Sequence, residues 1–413
     1  MRRVRGMASL AGVALIVGCS ATGTAQPAPS TTHTSVAVDG PWRAWTKSLS
    51  RQEASGTCGA TAHQVVCSTA PDGLVGVSRA TGAITWTVPA TGGGGKNGGL
   101  VVDAADERAA TSGGHTLRAA NLRTGKAAWT HRLPSTRSYV GMAAADGVVY
   151  ALDAKSDAVQ SEGYTNVALG AFRASDGAVL WHRAVDAIPY EGIAAFGGRV
   201  YSTDGTKVTA RDARTGRSVA TSPPGTASYG GVPLDWCPHL ISGGGYLVCA
   251  GSSVTAGDAF PPLRRLDPVT LGPLRTAAED PGLRPERGVI SSDGVLVLFE
   301  DTPEDPGTGT WNAYDLNHPR RLWSYDTTTE EGELSGGRFV TFTPGNDDTR
   351  GRVITIDLHA GPDGTGAAAP RMSPPYPQSR GGEHPALIAP GGRSGHVVVE
   401  PRTHHALRSI PLP

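Results

Sequence analysis

The sequence predicts an all-β protein, and within that class an eight-bladed β-propeller of four-stranded antiparallel blades. Three observations predict it. Segments such as "GLVGVSRATGAITWTVP", "TLRAANLRTGKAAWTHRLP" and "ALGAFRASDGAVLWHRAV" alternate apolar and polar residues with period two, the pattern of strands with one buried face. Each pair is joined by a Thr-Gly or Asp-Gly turn whose glycine supplies the positive φ of a tight hairpin. The pattern recurs, with Trp45, Trp86, Trp129 and Trp181 separated by 41, 43 and 52 residues. Finally, "RAWTKSL" at 43–49 nearly repeats "AAWTHRL" at 127–133, so a lone strand of blade type precedes the first full unit.

Taken in order, each unit holds two hairpins. The one just described is preceded by another, as in "YVGMAAADGVVYALD" and "GIAAFGGRVYSTDG", with an Asp-Gly or Gly-Gly turn of its own. Four strands in 40–50 residues make one propeller blade. Later units are "KVTARDARTGRSVATSPP", "PLRRLDPVTLGPLRTA", "WNAYDLNHPRRLWSYD", "VITIDLHAGPDGTGAA" and "HHALRSIPLP"; the fifth, seventh and eighth keep the strands and lose the Trp. Residues 42–413 divide into eight blades of about 46 residues, whereas a seven-bladed ring needs about 53, which the early Trp spacing contradicts. The last unit, "PALIAPGG", "HVVVEP" and "HHALRSIPLP", supplies only three strands. The N-terminal strand 42–49 is expected to be its fourth, closing the ring and removing both unpaired edges.

The residues before this strand belong to no blade. "MRRVRG" is a basic start, and "MASLAGVALIV" is an apolar run too short to span a bilayer comfortably. The run ends in "IVGC", which resembles the bacterial lipoprotein signal. That resemblance implies cleavage after residue 18 and lipidation of Cys19, whose acyl chains would hold the protein to the membrane. Residues 19–40 are rich in Ser, Thr, Ala and Pro with almost no charge, the composition of a tether spanning about 25 Å. The expected organisation is signal peptide 1–18, tether 19–40 and propeller 41–413, a monomeric cell-membrane lipoprotein on the extracytoplasmic face. Thirty-seven basic residues balance 37 acidic ones, leaving no field to attract nucleic acid. Only five of the basic residues are Lys, in a chain rich in Arg, Ala and Gly, a bias that GC-rich bacterial genomes encode.

The repeats resemble the pyrroloquinoline-quinone-like propeller family, which includes quinoprotein dehydrogenases and the propeller lipoprotein of the outer-membrane barrel-assembly machinery. The resemblance runs over nearly all of 42–413. It implies that Trp45, Trp86, Trp129, Trp181 and Trp323 dock between neighbouring blades, burying their rings and bonding through the indole N–H. It also raises an alternative function, a quinone-dependent dehydrogenase with the cofactor and Ca²⁺ in the central funnel. That enzyme family carries a disulfide between adjacent cysteines, and no two cysteines are adjacent here. A barrel-assembly role needs an outer membrane, which a single-membrane organism lacks.

Cys58 and Cys67 flank one hairpin, and Cys237 and Cys249 another. In an exported chain they read as two disulfides, each clamping the two inner strands of a blade. No Cys-x-x-Cys, Gly-x-Ser-x-Gly or His-Glu-x-x-His occurs, so neither a metal site nor a catalytic residue is expected, and no cofactor. "GGGGKNGG" at 92–99 matches Gly-x-Gly-x-x-Gly at Gly93, Gly95 and Gly98 but precedes no helix; an interblade loop is expected. "EDTPEDPG" at 300–307 lacks the spacing of a Ca²⁺ loop and reads as a solvated acidic loop. Long second-to-third-strand loops are expected on one face only, at "DAKSDAVQSEGYTN" in blade three, "GSSVTAGDAFPP" in blade five, "EDTPEDPGTGT" in blade six and "TPGNDDTRG" in blade seven. They would make a binding face with anchors Tyr164, Phe260 and Trp311 among the carboxylates Glu300, Asp301 and Asp305. The function expected is a non-catalytic scaffold binding another extracytoplasmic protein or a small ligand.

Overall fold

In the computed structural model, the described residues are 44–49, 57–91, 97–103, 105–155, 166–188, 192–225, 227–229, 232–234, 237–250, 263–275, 283–302, 305–343, 352–375, 385–388, 396–401 and 406–411. Backbone contacts divide the chain into Met1–Val38 and Asp39–Pro413. The expected signal peptide, Cys19 and the whole tether lie outside the described residues, as do Tyr164 and Phe260. Among the described residues no helix is long and apolar enough to cross a membrane.

The second unit is an eight-bladed β-propeller. After β1 (Trp45–Ser48) comes blade one, with β2 (Cys58–Ala60), β3 (Gln64–Thr69), β4 (Gly73–Ser78) and β5 (Ile84–Val88). Blade two holds β6 (Asn97–Asp103), β7 (Arg108–Gly113), β8 (Thr116–Asn121) and β9 (Ala127–Arg132). Blade three holds β10 (Arg137–Ala145), β11 (Val148–Lys155), β12 (Ala168–Arg173) and β13 (Val179–Ala184). Blade four holds β14 (Ile193–Phe196), β15 (Arg199–Thr203), β16 (Val208–Asp212) and β17 (Ser218–Thr221). A separate hairpin follows, β18 (Ala227–Tyr229) with β19 (Val232–Leu234), which the sequence reading did not anticipate.

Blade five holds β20 (His239–Gly243), β21 (Tyr246–Ala250), β22 (Arg264–Leu266) and β23 (Pro273–Leu274). Blade six holds β24 (Leu283–Ile290), β25 (Val295–Thr302), β26 (Asp305–Asp315) and β27 (Arg320–Thr327). Blade seven holds β28 (Glu333–Ser335), β29 (Arg338–Phe342), β30 (Val353–Asp357) and β31 (Arg371–Met372). Blade eight holds β32 (Pro385–Ile388), β33 (His396–Pro401) and β34 (Ala406–Pro411), and its outer strand is β1. Trp45 pairs with Ser409 and Ser48 with Ala406, so the duplicated N-terminal strand closes the ring. First strands of successive blades approach one another, which places them innermost.

There is no single central core. Eight apolar clusters fill the eight junctions between neighbouring blades, from Leu49, Val65, Val398 and Leu407 where blade eight meets blade one, round to Val340, Phe342, Val397 and Ile410 where seven meets eight. Two sheet faces, each apolar, are buried against each other at every junction, and this is why single blades cannot stand alone.

One device recurs across these junctions. The indole N–H of a fourth-strand Trp donates to a carbonyl in the next blade's third-to-fourth turn. The pairs are Trp45 to Arg79 at 2.7 Å, Trp86 to Leu122, Trp129 to Ala174 and Trp181 to Ala213 each at 2.9 Å, and Trp323 to Leu358 at 2.8 Å. Each ring lies against the turn glycine of that same neighbour: Gly82, Gly125, Gly177, Gly216 and Gly361. Gly125 shows why it must be glycine. Its φ is +64°, and a Cβ there would lie 2.0 Å from the Trp86 side chain.

Three sequence expectations are corrected here. Asn97, Gly98 and Gly99 are not interblade loop but the start of β6, paired with β7. The stretch expected as an acidic loop in blade six is strand on both sides, since β25 runs to Thr302 and β26 starts at Asp305, with Asp301 paired to Gly309 and Thr302 to Asp305. Trp311 is not an exposed anchor. It sits in β26 between Phe299 and Tyr325, fully buried, with its ring against Phe299 (centroids 5.2 Å apart) and Phe339 of blade seven (4.7 Å). Its face of β26 is the one packed against blade seven, so it fills the six–seven junction and presents nothing to solvent.

Candidate functional site: the insertion face

The strand order gives the ring two unlike faces. One carries the first-to-second and third-to-fourth turns. The third-to-fourth turns of blades one to six are tight, and in blades two, four and five one short polar side chain locks each: Asn121 Oδ1 accepts from the Thr124 N–H and hydroxyl, Asp212 from those of Thr215, and Asp267 from those of Thr270. Blade seven departs from this with a long connection, 358–370, that holds a 3-10 turn at Gly366–Ala368. These bonds stabilise the charged form, so the Thr215 hydroxyl and N–H hold the Asp212 carboxyl below the usual carboxylate range, and the Thr270 N–H and hydroxyl do so for Asp267.

The other face carries the second-to-third connections and the links between blades. Its connections are short in blades one, two and four (70–72, 114–115 and 204–207) and long in blades three, five and seven (156–167, 251–263 and 343–352). Blade six extends its hairpin there, and β18–β19 is inserted between blades four and five. Most insertions therefore gather on one face, with the 358–370 connection of blade seven the exception on the other.

At the base of the blade-three insertion lies a polar cluster around one buried carboxylate. Asp153, 1% exposed and near the end of β11, receives Arg137 Nε at Oδ1 and bonds His182 Nε2 at Oδ2, the latter at 2.8 Å. Arg137 Nη2 also donates to the carbonyls of Asp153 (3.0 Å) and Asn166 (2.8 Å). One guanidinium thus ties together the two ends of 156–165. Asn166 makes this possible by taking a left-handed φ of +66° just before β12. Burial, together with the Asp153 charge, pushes the Tyr139 phenol up. The sequence offered no signal for this set, because its members lie on three strands.

In blade six, Asn312 is fully buried, donates to Glu300 Oε2 at 3.0 Å and accepts from the Ser324 hydroxyl at 2.6 Å. Glu300 is therefore half-buried ladder support and not a solvated loop carboxylate. Asp301 and Asp305 are placed as strand residues only. At the same face, Glu333 begins the innermost strand of blade seven. Burial, with Glu331 alongside, pushes its carboxyl up to about 7.

Cys58 and Cys67 are disulfide-bonded and directly opposite in register, joining the two inner strands of blade one. Cys237 is bonded to Cys249 in β21, but Cys237 itself precedes β20 and pairs with Gly205 of blade four. The expectation of a clamp between two inner strands is corrected for this second disulfide.

No group of three or more His, Cys, Asp or Glu side chains among the described residues could hold a metal ion. No two cysteines are adjacent in the sequence, and among the described residues no donor set suited to a quinone with Ca²⁺ is assembled. Ser291, Asp293 and His359 do come together on the turn face. However, the Ser291 hydroxyl donates to Asp293 Oδ1 while His359 Nε2 bonds Asp293 Oδ2 at 2.7 Å. The imidazole bonds the carboxylate and not the hydroxyl, so the Ser–His contact of a hydrolytic triad is not formed here.

With the geometry in place, the comparisons are consistent with it. Residues 34–189 match the family model described as outer membrane protein assembly factor BamB. Over that segment the likeness to the PQQ-like propeller repeat holds. Among solved structures, BamB from Moraxella catarrhalis is similar at TM-score 0.53 and 14% identity, covering 89% of this chain and 98% of that one. The computationally designed Ika8 protein reaches TM-score 0.58 at 14% identity, covering 88% and 98%. The C-terminal WD40 domain of Sif2 reaches 0.58 at 10% identity, covering 89% and 98%. At these identities the likeness is one of fold. No curated protein matches the chain.

Proposed function

We propose that the chain is an exported, lipid-anchored, non-catalytic propeller that holds another extracytoplasmic protein on its insertion face. The observation that carries this reading is the asymmetry of the connections. Insertions concentrated on one face of a repeat ring, as in blades three, five, six and seven here, mark where sequence is free to specialise for contact. The Arg137–Asp153–His182 cluster supports it, since a staple built on a buried carboxylate at a loop base fixes the loop's approach. A lipidated Cys19 and the tether 19–40 would hold the ring at the outer side of the cell membrane. The family model that matches 34–189 is described as an assembly factor, a description in keeping with this reading.

Photo-crosslinking residues placed at Lys155 on the insertion face and at Asp176 and His318 on the turn face test the reading in native membranes. Capture of one protein from Lys155 only is expected. Capture from the turn face alone would overturn it. Cys19→Ala should release the chain from membranes; retention equal to the natural chain would remove the anchor from the proposal.

A further inference from the structure

Five of the eight junctions carry the indole clasp, and the one between blades four and five is among the three that do not. Ala220 stands where Trp86, Trp129 and Trp181 stand in their blades, four residues beyond the turn glycine. The acceptor that the indole would have used, the Pro268 carbonyl, is taken by the Tyr201 hydroxyl (3.0 Å) and Arg199 Nη1 (3.0 Å). These bonds hold the turn-face end of the junction. At the opposite end the chain does something found at no other described junction. The Cys237 N–H donates to the Gly205 carbonyl of blade four at 3.0 Å, and the Cys237 carbonyl accepts from the blade-four Thr203 hydroxyl. The Cys237 sulfur is bonded to Cys249 in the second strand of blade five. One residue is therefore fastened to blade four by its backbone and to blade five by its side chain.

We propose that Cys237–Cys249 is an interblade clamp that stands in for the missing indole, so that closure of the ring between blades four and five is conditional on oxidation of the chain. The β18–β19 hairpin, which leads into Cys237, is seated by the same clamp. The contrast is internal to the molecule, because Cys58–Cys67 joins two strands of one blade and spans no junction. Both Cys237 and Cys249 are fully buried, so the bond is set as the junction forms and is not toggled on the folded surface. The reaction is thiol–disulfide exchange with a disulfide oxidant. One cysteine thiolate attacks the oxidant and displaces its first thiol; the second cysteine then attacks the mixed disulfide and displaces the other. Two electrons pass to the oxidant, and the two cysteine protons end on its two thiols. The inference stands whether or not the face binds a partner.

Hydrogen exchange on the full chain tests it, comparing the natural protein with Cys237→Ala/Cys249→Ala and Cys58→Ala/Cys67→Ala. The first variant should exchange about tenfold faster or more in 199–212 of blade four as well as in 239–250 of blade five. The second should loosen blade one and leave 199–212 unchanged. If the clampless chain does not fold, the natural protein is read after equilibration with a dithiol reductant. Adding Ala220→Trp/Leu271→Gly to the clampless chain installs the indole device and should restore protection in 199–212. Faster exchange confined to blade five, or no rescue by the installed indole, would overturn the proposal.

Discussion

Leu271 occupies, at φ +58°, the turn position that glycine holds in the Trp-clasped blades, and it packs in one cluster with Ala220 of the preceding blade. The two departures belong together. Where a Trp ring lies on the turn, only glycine fits beneath it; where blade four offers Ala220, the space is filled from the other side by a fully buried leucine. A left-handed leucine costs about 1–2 kcal/mol, which burial of the side chain offsets.

Ala220→Trp alone should therefore overpack the junction and destabilise by about 1–3 kcal/mol, and Leu271→Gly alone should leave a cavity costing about 2–4 kcal/mol. Together they should cost less than their sum by at least about 1 kcal/mol. Urea unfolding of the four chains measures this, and strict additivity would show that the two positions are not exchanged halves of one device.

The clasp makes a second expectation. Gly82 has φ +70°, and a Cβ there would lie 2.6 Å from the Trp45 ring. Gly82→Ala should push β1 off blade eight, at a cost of about 2–3 kcal/mol from strain and lost packing. Removal of residues 45–48 should expose the edge of β34 and give concentration-dependent oligomers in size-exclusion chromatography. A truncated chain that stays monomeric and equally stable would deny β1 its closing role.

Much of this was legible in the sequence, and the reason is local. Turn glycines, Trp spacing and the duplicated "AWT" are written in short contiguous stretches, and each dictates a hairpin or a blade edge without help from elsewhere. What was not legible depends on partners far apart in the chain. Tyr201 and Arg199 replace an indole from strands that carry none, and at the next junction Arg265 donates to the Leu316 carbonyl in the same way. Trp311 was misplaced because its neighbours "EDTPEDPGTGT" are polar and turn-rich, although the alternation Trp311, Ala313 against Asn312, Tyr314 continues a strand. Cys237 pairs as its spacing suggested, but which blade its backbone joins is a property of the ring.

Glu333 gives the fold a pH dependence of known sign. Its folded carboxyl titrates at about 7, above the ordinary value of 4.5, so the folded state binds the proton more tightly. Its contribution to stability is full below about 4.5 and is lost as pH rises towards 7, by about 2–3 kcal/mol after allowance for partial exposure. Glu333→Gln should match the natural chain at pH 4 and exceed it at pH 8 in thermal unfolding. Equal stability at both values would show that burial does not hold this proton. Asp212 and Asp267, held below the usual range, act in the opposite sense: their contribution is present above the ordinary Asp range and lost as pH falls.

The buried staple in blade three yields the last expectation. Asp153 is the only carboxylate bonded to both Arg137 and His182 among the described residues, and it is 1% exposed against 21% for the Arg137 side chain and 47% for His182. Most of the desolvation cost therefore falls on the carboxylate, and Arg137 offsets it while also gripping the Asn166 carbonyl across the insertion. Removing Arg137 leaves that carboxylate buried with only an exposed imidazole beside it, whereas removing Asp153 leaves Arg137 free to reach water. Arg137→Ala should then cost more than Asp153→Asn, about 3–4 against about 1–2 kcal/mol, whereas mutual attraction alone would make the two costs equal. Both should speed proteolytic nicking within 156–165, because the two ends of that segment are no longer tied. Equal costs for the two changes, with nicking unaltered, would mean that the cluster is a surface pair and not the anchor of the loop.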